Sequence, residues 1–238
     1  DLYGRRELPR LLKSLVDIDA FDWIRLHYLY PAGFPKTILN LMRDNPKICK
    51  YVDLPIQHIS GRMLKIMKRS HGAGATRDLL HGIRRDLPDA AVRTTLIAGH
   101  PGETEADYRE LRDFISEYRF DRLGVFAYSH EDGTWSGEKY PDDVPEEVKE
   151  SRVSELMAIQ QSISGELNAK KIGRILKTVI DRREGGYYIG RTEYDSPEVD
   201  NEVLVSSVKE LVPGSFHEIL ITGANEFDLF GTPAGESI

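Results

Sequence analysis

Two short stretches gather side chains able to hold a small polar ligand. Gln57-His58-Ile59-Ser60, at the end of Asp53-Leu54-Pro55-Ile56, places an amide, an imidazole and a hydroxyl on one short loop. Such groups supply the donors and acceptors that a ribose or an amino-acid end requires. The second stretch, Ile97-Ala98-Gly99-His100-Pro101-Gly102-Glu103-Thr104, joins a β-rich run to a helix through a Gly-Pro-Gly turn. Glycines there let the main chain approach a ligand closely. The same glycines also suit an ordinary tight turn, and Gln and His are common surface residues, so the elements that carry both stretches must decide between the readings.

Those elements read as βα units. β-rich runs over 23–28, 51–54, 92–98 and 123–127 alternate with helical patterns, which predicts parallel strands joined by right-handed crossovers. The helix after Thr104 carries a capping box with Asp107, and Tyr108, Leu111, Phe114, Ile115 and Tyr118 recur on one face. In such sheets ligands lie at the C-terminal strand ends, where both stretches fall. Further helices are expected over 36–43, 61–68 after Ser60, and 76–85, with Leu8, Leu11, Leu12 and Leu15 marking an opening helix. Four strands are too few for a closed eight-stranded barrel. They predict an open sheet or the later portion of a larger barrel.

Pro141-Asp142-Asp143-Val144-Pro145 is a linker before a long helix whose stripe runs through Val153, Leu156, Met157, Ile163 and Leu167. After Ile172 the text changes to short strands over 175–180, 187–192, 203–205, 217–222 and 227–230, broken by Gly185-Gly186, Pro213-Gly214 and Gly223. That spacing predicts a separate, small antiparallel β-barrel. The fold class is therefore α/β with two domains, 1–170 and 171–238.

The 238 residues carry a formal charge of −7, which argues against a broad nucleic-acid surface. No run approaches the roughly 18 apolar residues of a membrane helix, and a cytoplasmic protein without membrane contact is expected. Cys49 is the only cysteine and precedes an apolar run, where a buried small hydrophobe is its expected role. An internal disulfide is excluded, and so is a cluster held by several thiolates of this chain alone.

Leu54-Pro55-Ile56-Gln57, then Ile97 to Thr104, then Phe126-Ala127-Tyr128-Ser129 with Asp132-Gly133-Thr134, form an ordered series. The series resembles the radical S-adenosylmethionine (SAM) methylthiotransferase family. The resemblance is collinear over nearly the whole chain and continues into a tail similar to the TRAM domain, including Gly190-Arg191-Thr192. His100 stands where the family usually has Phe, and Asp132 where it usually has Pro. Leu26-His27-Tyr28-Leu29-Tyr30-Pro31 and Gln57-His58-Ile59-Ser60 are similar to the branch that acts on a ribosomal protein rather than the tRNA-modifying branch.

The resemblance implies a partial radical SAM βα barrel with a TRAM barrel, and an enzyme that adds a methylthio group to the β-carbon of an aspartate in small-subunit ribosomal protein S-twelve. It implies S-adenosylmethionine and two four-iron four-sulfur clusters as cofactors of the intact enzyme. The cysteines that hold both clusters in the family are not in these 238 residues, so the chain reads as truncated before Asp1 and inactive alone. Gln57, Arg93 and Thr95 are expected at the methionine and ribose parts of the cofactor, and Phe126 and Tyr128 beside its adenine. Arg69, after Met67-Lys68, matches a family arginine and is expected to orient substrate or cofactor. Glu103 is expected to stabilise a helix N-terminus rather than act as an acid.

From 168 to 238 there are eight Lys or Arg against twelve Asp or Glu, a net of −4. That sign makes tRNA an unfavourable partner. Glu193, Asp195, Glu198 and Asp200 are expected to loop out between strands and dock the basic ribosomal protein. The alternatives are a tRNA methylthiotransferase and a non-catalytic module that binds ribosomal protein or RNA.

Overall fold

β2 (Ala91–Ala98) shows how the first half is built. Its alternate residues Val92, Thr94, Leu96 and Ala98 are buried, and the three apolar ones join a core with Leu80, Ile83, Leu111, Phe114 and Ile115. Each such side chain contributes about 1.5–3 kcal/mol when fully buried. Arg93, Thr95 and Ile97, on the opposite face, are only half-buried. The strand is thus covered by helices on one side and open on the other.

The computed structural model describes residues 4–236. Helices α1 (Leu8–Val16) and α2 (Thr37–Asp44) precede β1 (Tyr51–Asp53), α3 (Gly61–Ile66) and α4 (Ala73–Asp86), and after β2 come α5 (Glu105–Tyr118) and β3 (Arg122–Ala127). The sheet is parallel in the order β1-β2-β3. Asp53, Arg93 and Arg122 lie in one row of the register, Thr95 opposite Gly124, and Ile97 opposite Phe126. The capping box of Thr104 and Asp107 is present, and α5 ends where Arg119 turns left-handed at φ 59°. All five expected apolar residues of α5 are buried.

The expected strand over 23–28 does not form a ladder. It is reduced to a parallel bridge between Ile24 and Ile48, with Leu29 N donating to Asp53 O. Between those points Arg25 reaches out to carbonyls of a distant loop, and Tyr28 adopts φ 55°, which extended pairing does not allow. Within α1, Leu12 is buried but Leu11 is 53% exposed.

α6 (Trp135–Lys139) and α7 (Glu146–Ala169) follow. α7 starts after Pro145 with Glu146 and Glu147 in its first turn, where the helix dipole favours them. Leu156 and Ile163 enter the core, whereas Met157 is 39% exposed and does not share that face. No helix among the described residues is long and apolar enough to cross a membrane.

The remaining strands are β4 (Ile175–Glu184), β5 (Tyr187–Thr192), β6 (Val203–Val205), β7 (Phe216–Ala224) and β8 (Leu229–Pro233), closed in the ring β4-β5-β6-β8-β7. Ile180, Val203, Val205, Ile219, Ile221 and Leu229 fill it. The expectation of a wholly antiparallel barrel is corrected in one place: β6 and β8 are parallel. Directions cannot alternate around a ring of five, so one like pair is unavoidable. At Gly190 a Cβ would lie 2.4 Å from the Val179 carbonyl oxygen, so close strand approach requires glycine there.

Candidate functional site

At the C-terminal ends of β1 and β2 the two polar stretches are bonded to each other. Gln57, at φ 67°, prolongs the pairing with β2: its N donates to Thr95 O at 2.9 Å and its O accepts from Ile97 N at 2.8 Å. His58 is fully buried, and its Nδ1 accepts from Ile59 N and Ser60 N, both at 2.9 Å. Its proton must then sit on Nε2, which lies 3.6 Å from Glu103 Oε2. Glu103 also accepts from Gly99 N at 3.0 Å and from Arg152 at 2.7 Å. A single buried carboxylate therefore ties the glycine turn to α7, with His58 Nε2 beside it but left without a hydrogen-bond partner.

A second knot lies beside it. Ser60 caps α3 and its Oγ donates to Asp107 Oδ1 at 2.6 Å, while Arg62 donates to Asp107 and, at 2.5 Å, to Gly102 O. Burial pushes the Asp107 carboxyl up, but bonds from Arg62, Ser60 and Thr104 outweigh it and hold the group well below the usual carboxylate range. His100 Nδ1 donates to Pro101 O at 3.0 Å, which leaves Nε2 to accept from Ser136 Oγ at 2.9 Å. Burial lowers the pKa of His100, in keeping with a neutral ring. The Tyr128 ring packs against it at 4.8 Å, with its hydroxyl buried and without a protein partner.

Gln57, Thr95 and Phe126 gather along the open face and its upper end, where Phe126 is 61% exposed. Arg69 follows the end of α3. Its Nε is buried without a partner, and its charge helps lower the pKa of Tyr30, after the hydrogen bond from Ser70 and against burial. Arg93 is different. It lies toward the N-terminal end of β2, bonded to Asp53 at 3.2 Å and Asp200 at 3.4 Å. Its guanidinium is paired with two carboxylates, one on the neighbouring strand and one from the small barrel.

The expectation that the acidic loop projects outward is also corrected. Asp195 is 1% exposed and paired with Arg122, and Asp200 accepts from the Tyr51 hydroxyl at 2.6 Å. Glu193 Oε2 accepts from Lys50 N at 3.1 Å. Arg25 donates to the carbonyls of Thr192 and Glu193 at 3.2 and 2.7 Å. Of the four acids only Glu198 stands in solvent. The loop closes the N-terminal end of the open face because the row Asp53, Arg93 and Arg122 carries cations that need counter-charges there.

A family model described as the TRAM domain matches residues 172–233. Two relatives, from Bacteroides thetaiotaomicron and Cytophaga hutchinsonii, carry the name ribosomal protein uS12 methylthiotransferase RimO. They are 51% identical over 231 residues and 53% identical over 232 residues, each covering 97% of this chain and 53% of the relative. Over nearly its whole length the chain is similar to one part of the RimO relatives. It spans about half the length of the curated relatives it matches. Coproporphyrinogen III oxidase (HemN) of Escherichia coli, described as a radical SAM enzyme, superposes with a TM-score of 0.54 at 18% identity, covering 79% of this chain and 49% of HemN. That likeness shows the fold alone: part of a βα barrel like that of HemN.

The site has members that sequence reasoning passes over or gives another role. Arg152 went unnamed because nothing local links it to Glu103, 49 positions away. Glu103 itself bonds the turn it follows and does more than stabilise α5. Arg69 Nε and the Tyr128 hydroxyl are buried polar atoms without protein partners, donors of the kind that a polar cofactor could use. Iron–sulfur ligation does not fit this chain's residues. Cys49 is buried and burial pushes its thiol up to about 11, which is wrong for a thiolate ligand. Among the described residues no group of three or more His, Cys, Asp or Glu is placed to hold a metal ion.

Proposed function

We propose that this chain supplies the S-adenosylmethionine-facing strands and the TRAM domain of an enzyme that adds a methylthio group to the β-carbon of an aspartate in ribosomal protein uS12. The observation that carries the reading is identity of about half, along 97% of the chain, to relatives named as uS12 methylthiotransferases. Gln57, Arg69 and Thr95 would hold the methionine and ribose parts of S-adenosylmethionine, with Phe126 and Tyr128 at its adenine. When bound and cleaved by one electron from the family's cluster, that group would supply hydrogen-atom abstraction from an unactivated carbon. The chain's own residues orient and shield. Glu103 fixes the Gly99 turn against α7, and the helix-covered face keeps water from the back of the sheet. The two clusters belong to the family's chemistry, and the residues of this chain do not fit them.

The test uses the full-length enzyme with its clusters. Gln57→Ala and Arg69→Ala should raise the KM for S-adenosylmethionine and slow formation of 5′-deoxyadenosine, while uS12 gains the mass of one methylthio group in the parent. Transfer to tRNA with uS12 unmodified overturns the reading.

A further inference from the structure

β3 is an edge strand of its sheet. Along it a cleft of about 420 Å³ opens between Leu123 and Gly124 of β3, Met157 of α7, and Val199 and Phe227 of the small barrel's loops. Its apolar wall is not covered: Met157 is 39%, Phe227 59% and Val199 61% exposed. Arg93 and Arg122 also line it, but Asp200 and Asp195 already neutralise them. The wall therefore asks for a neutral occupant.

Two lining residues make the demand more specific. Gln160 is 5% exposed, and its Nε2 donates to Phe120 O at 2.9 Å, yet its Oε1 has no partner. Asn201 Nδ2 is buried and has none either. A buried polar atom left without a partner is costly, so a ligand bringing one donor and one acceptor is favoured. A peptide unit carries both. An edge strand offers the same pairing along its main chain, and strand addition is how extended peptides use such edges.

We infer that the cleft takes an extended polypeptide segment that adds alongside β3. The strand runs from Arg122 to Ala127, so the added segment leads toward Phe126 and Tyr128. This deepens the proposed function and rests on it in one respect: the segment is taken to be part of uS12.

The probes are synthetic peptides tiling uS12, titrated against the 238-residue chain, then the same peptides carrying single N-methyl groups. One tile should bind. N-methylation should weaken it at every second residue and spare those between, because only alternate residues of an added strand point their N–H toward β3. Asn201→Asp keeps the side chain's shape but turns its free donor into an acceptor, and should weaken the tile roughly tenfold with unfolding temperature retained. Failure of every tile to bind, a uniform response to N-methylation, or displacement of the tile by adenosine overturns the inference. In the full-length enzyme, transfer to uS12 with a KM untouched by Asn201→Asp overturns it while the proposed function stands. Absence of transfer with the tile still bound along β3 leaves the inference standing and removes the function.

Discussion

Arg122 Nε lies 3.1 Å from Asp195 Oδ1, across 73 positions of sequence, and the two residues are 5% and 1% exposed. This buried pair joins the edge strand of the parallel sheet to the loop after β5. Breaking it from one side leaves an uncompensated buried charge.

Arg122→Met should therefore cost about 3–5 kcal/mol in urea denaturation, and Arg122→Met with Asp195→Leu should recover most of it. A single-variant loss under about 1 kcal/mol would contradict the role given to the pair. Burial pushes the Asp195 carboxyl up, but Arg122 and Lys171 outweigh it and hold it below its ordinary value. Stability from such a group is complete above the unfolded value of about 3.9 and is lost as pH falls through the folded one. Asp195→Asn should flatten that acid limb.

Lys171 has the opposite sign. Burial, then repulsion from Arg122, lowers its ammonium to about 8 against attraction from Asp195 and Asp121. Between there and its unfolded value of about 10.4 the unfolded chain binds more protons, so stability should rise with pH across that window. Lys171→Met removes this rise, and the difference between the two proteins should change steadily from pH 8 to about 10. Above that range Tyr51 and Tyr118, raised by burial, oppose the trend in both proteins equally. A constant difference would show that Lys171 keeps an ordinary value.

Thr104 holds the N-terminus of α5 through a reciprocal capping box. Thr104→Ala should destabilise by about 1 kcal/mol, read from the urea midpoint at unchanged slope. Thr104→Ser should restore most of it, and a Ser variant as weak as Ala would mean that the methyl's packing matters more than the cap.

Cys49 is a single buried thiol, and a four-iron cluster takes three or four thiolates. Anaerobic reconstitution of the 238-residue chain with iron and sulfide should leave it colourless and unable to make 5′-deoxyadenosine. Stoichiometric iron with broad visible absorbance would contradict this.

Much of the scaffold was legible in the text. The capping box, the buried face of α5, the cap at Ser60, the burial of Cys49 and the five strands of the tail all rest on signals within a few residues. The run over 23–28 was misread because its β-rich composition could not report the left-handed Tyr28 or the pull on Arg25. Arg93 shows a related limit. Alternation correctly put it on the open face, but not which carboxylates would meet it there.

The sequence by itself determined the βα order from β1 onward, the capped starts of α3 and α5, the small barrel and the position of the two polar stretches at strand ends. Periodicity, caps and turn residues act over three to eight positions, and their physics is local. Only the tertiary structure decided that Asp195 and Asp200 turn inward, that Glu103 reaches Arg152, and that Gln160 and Asn201 line one cleft with unmet hydrogen bonds. Charge counting supplied the sign of the acidic loop, but its direction depends on where Arg93 and Arg122 stand once the sheet is formed. A buried carboxylate is stable only beside its counter-charge, and that partner is chosen by the fold.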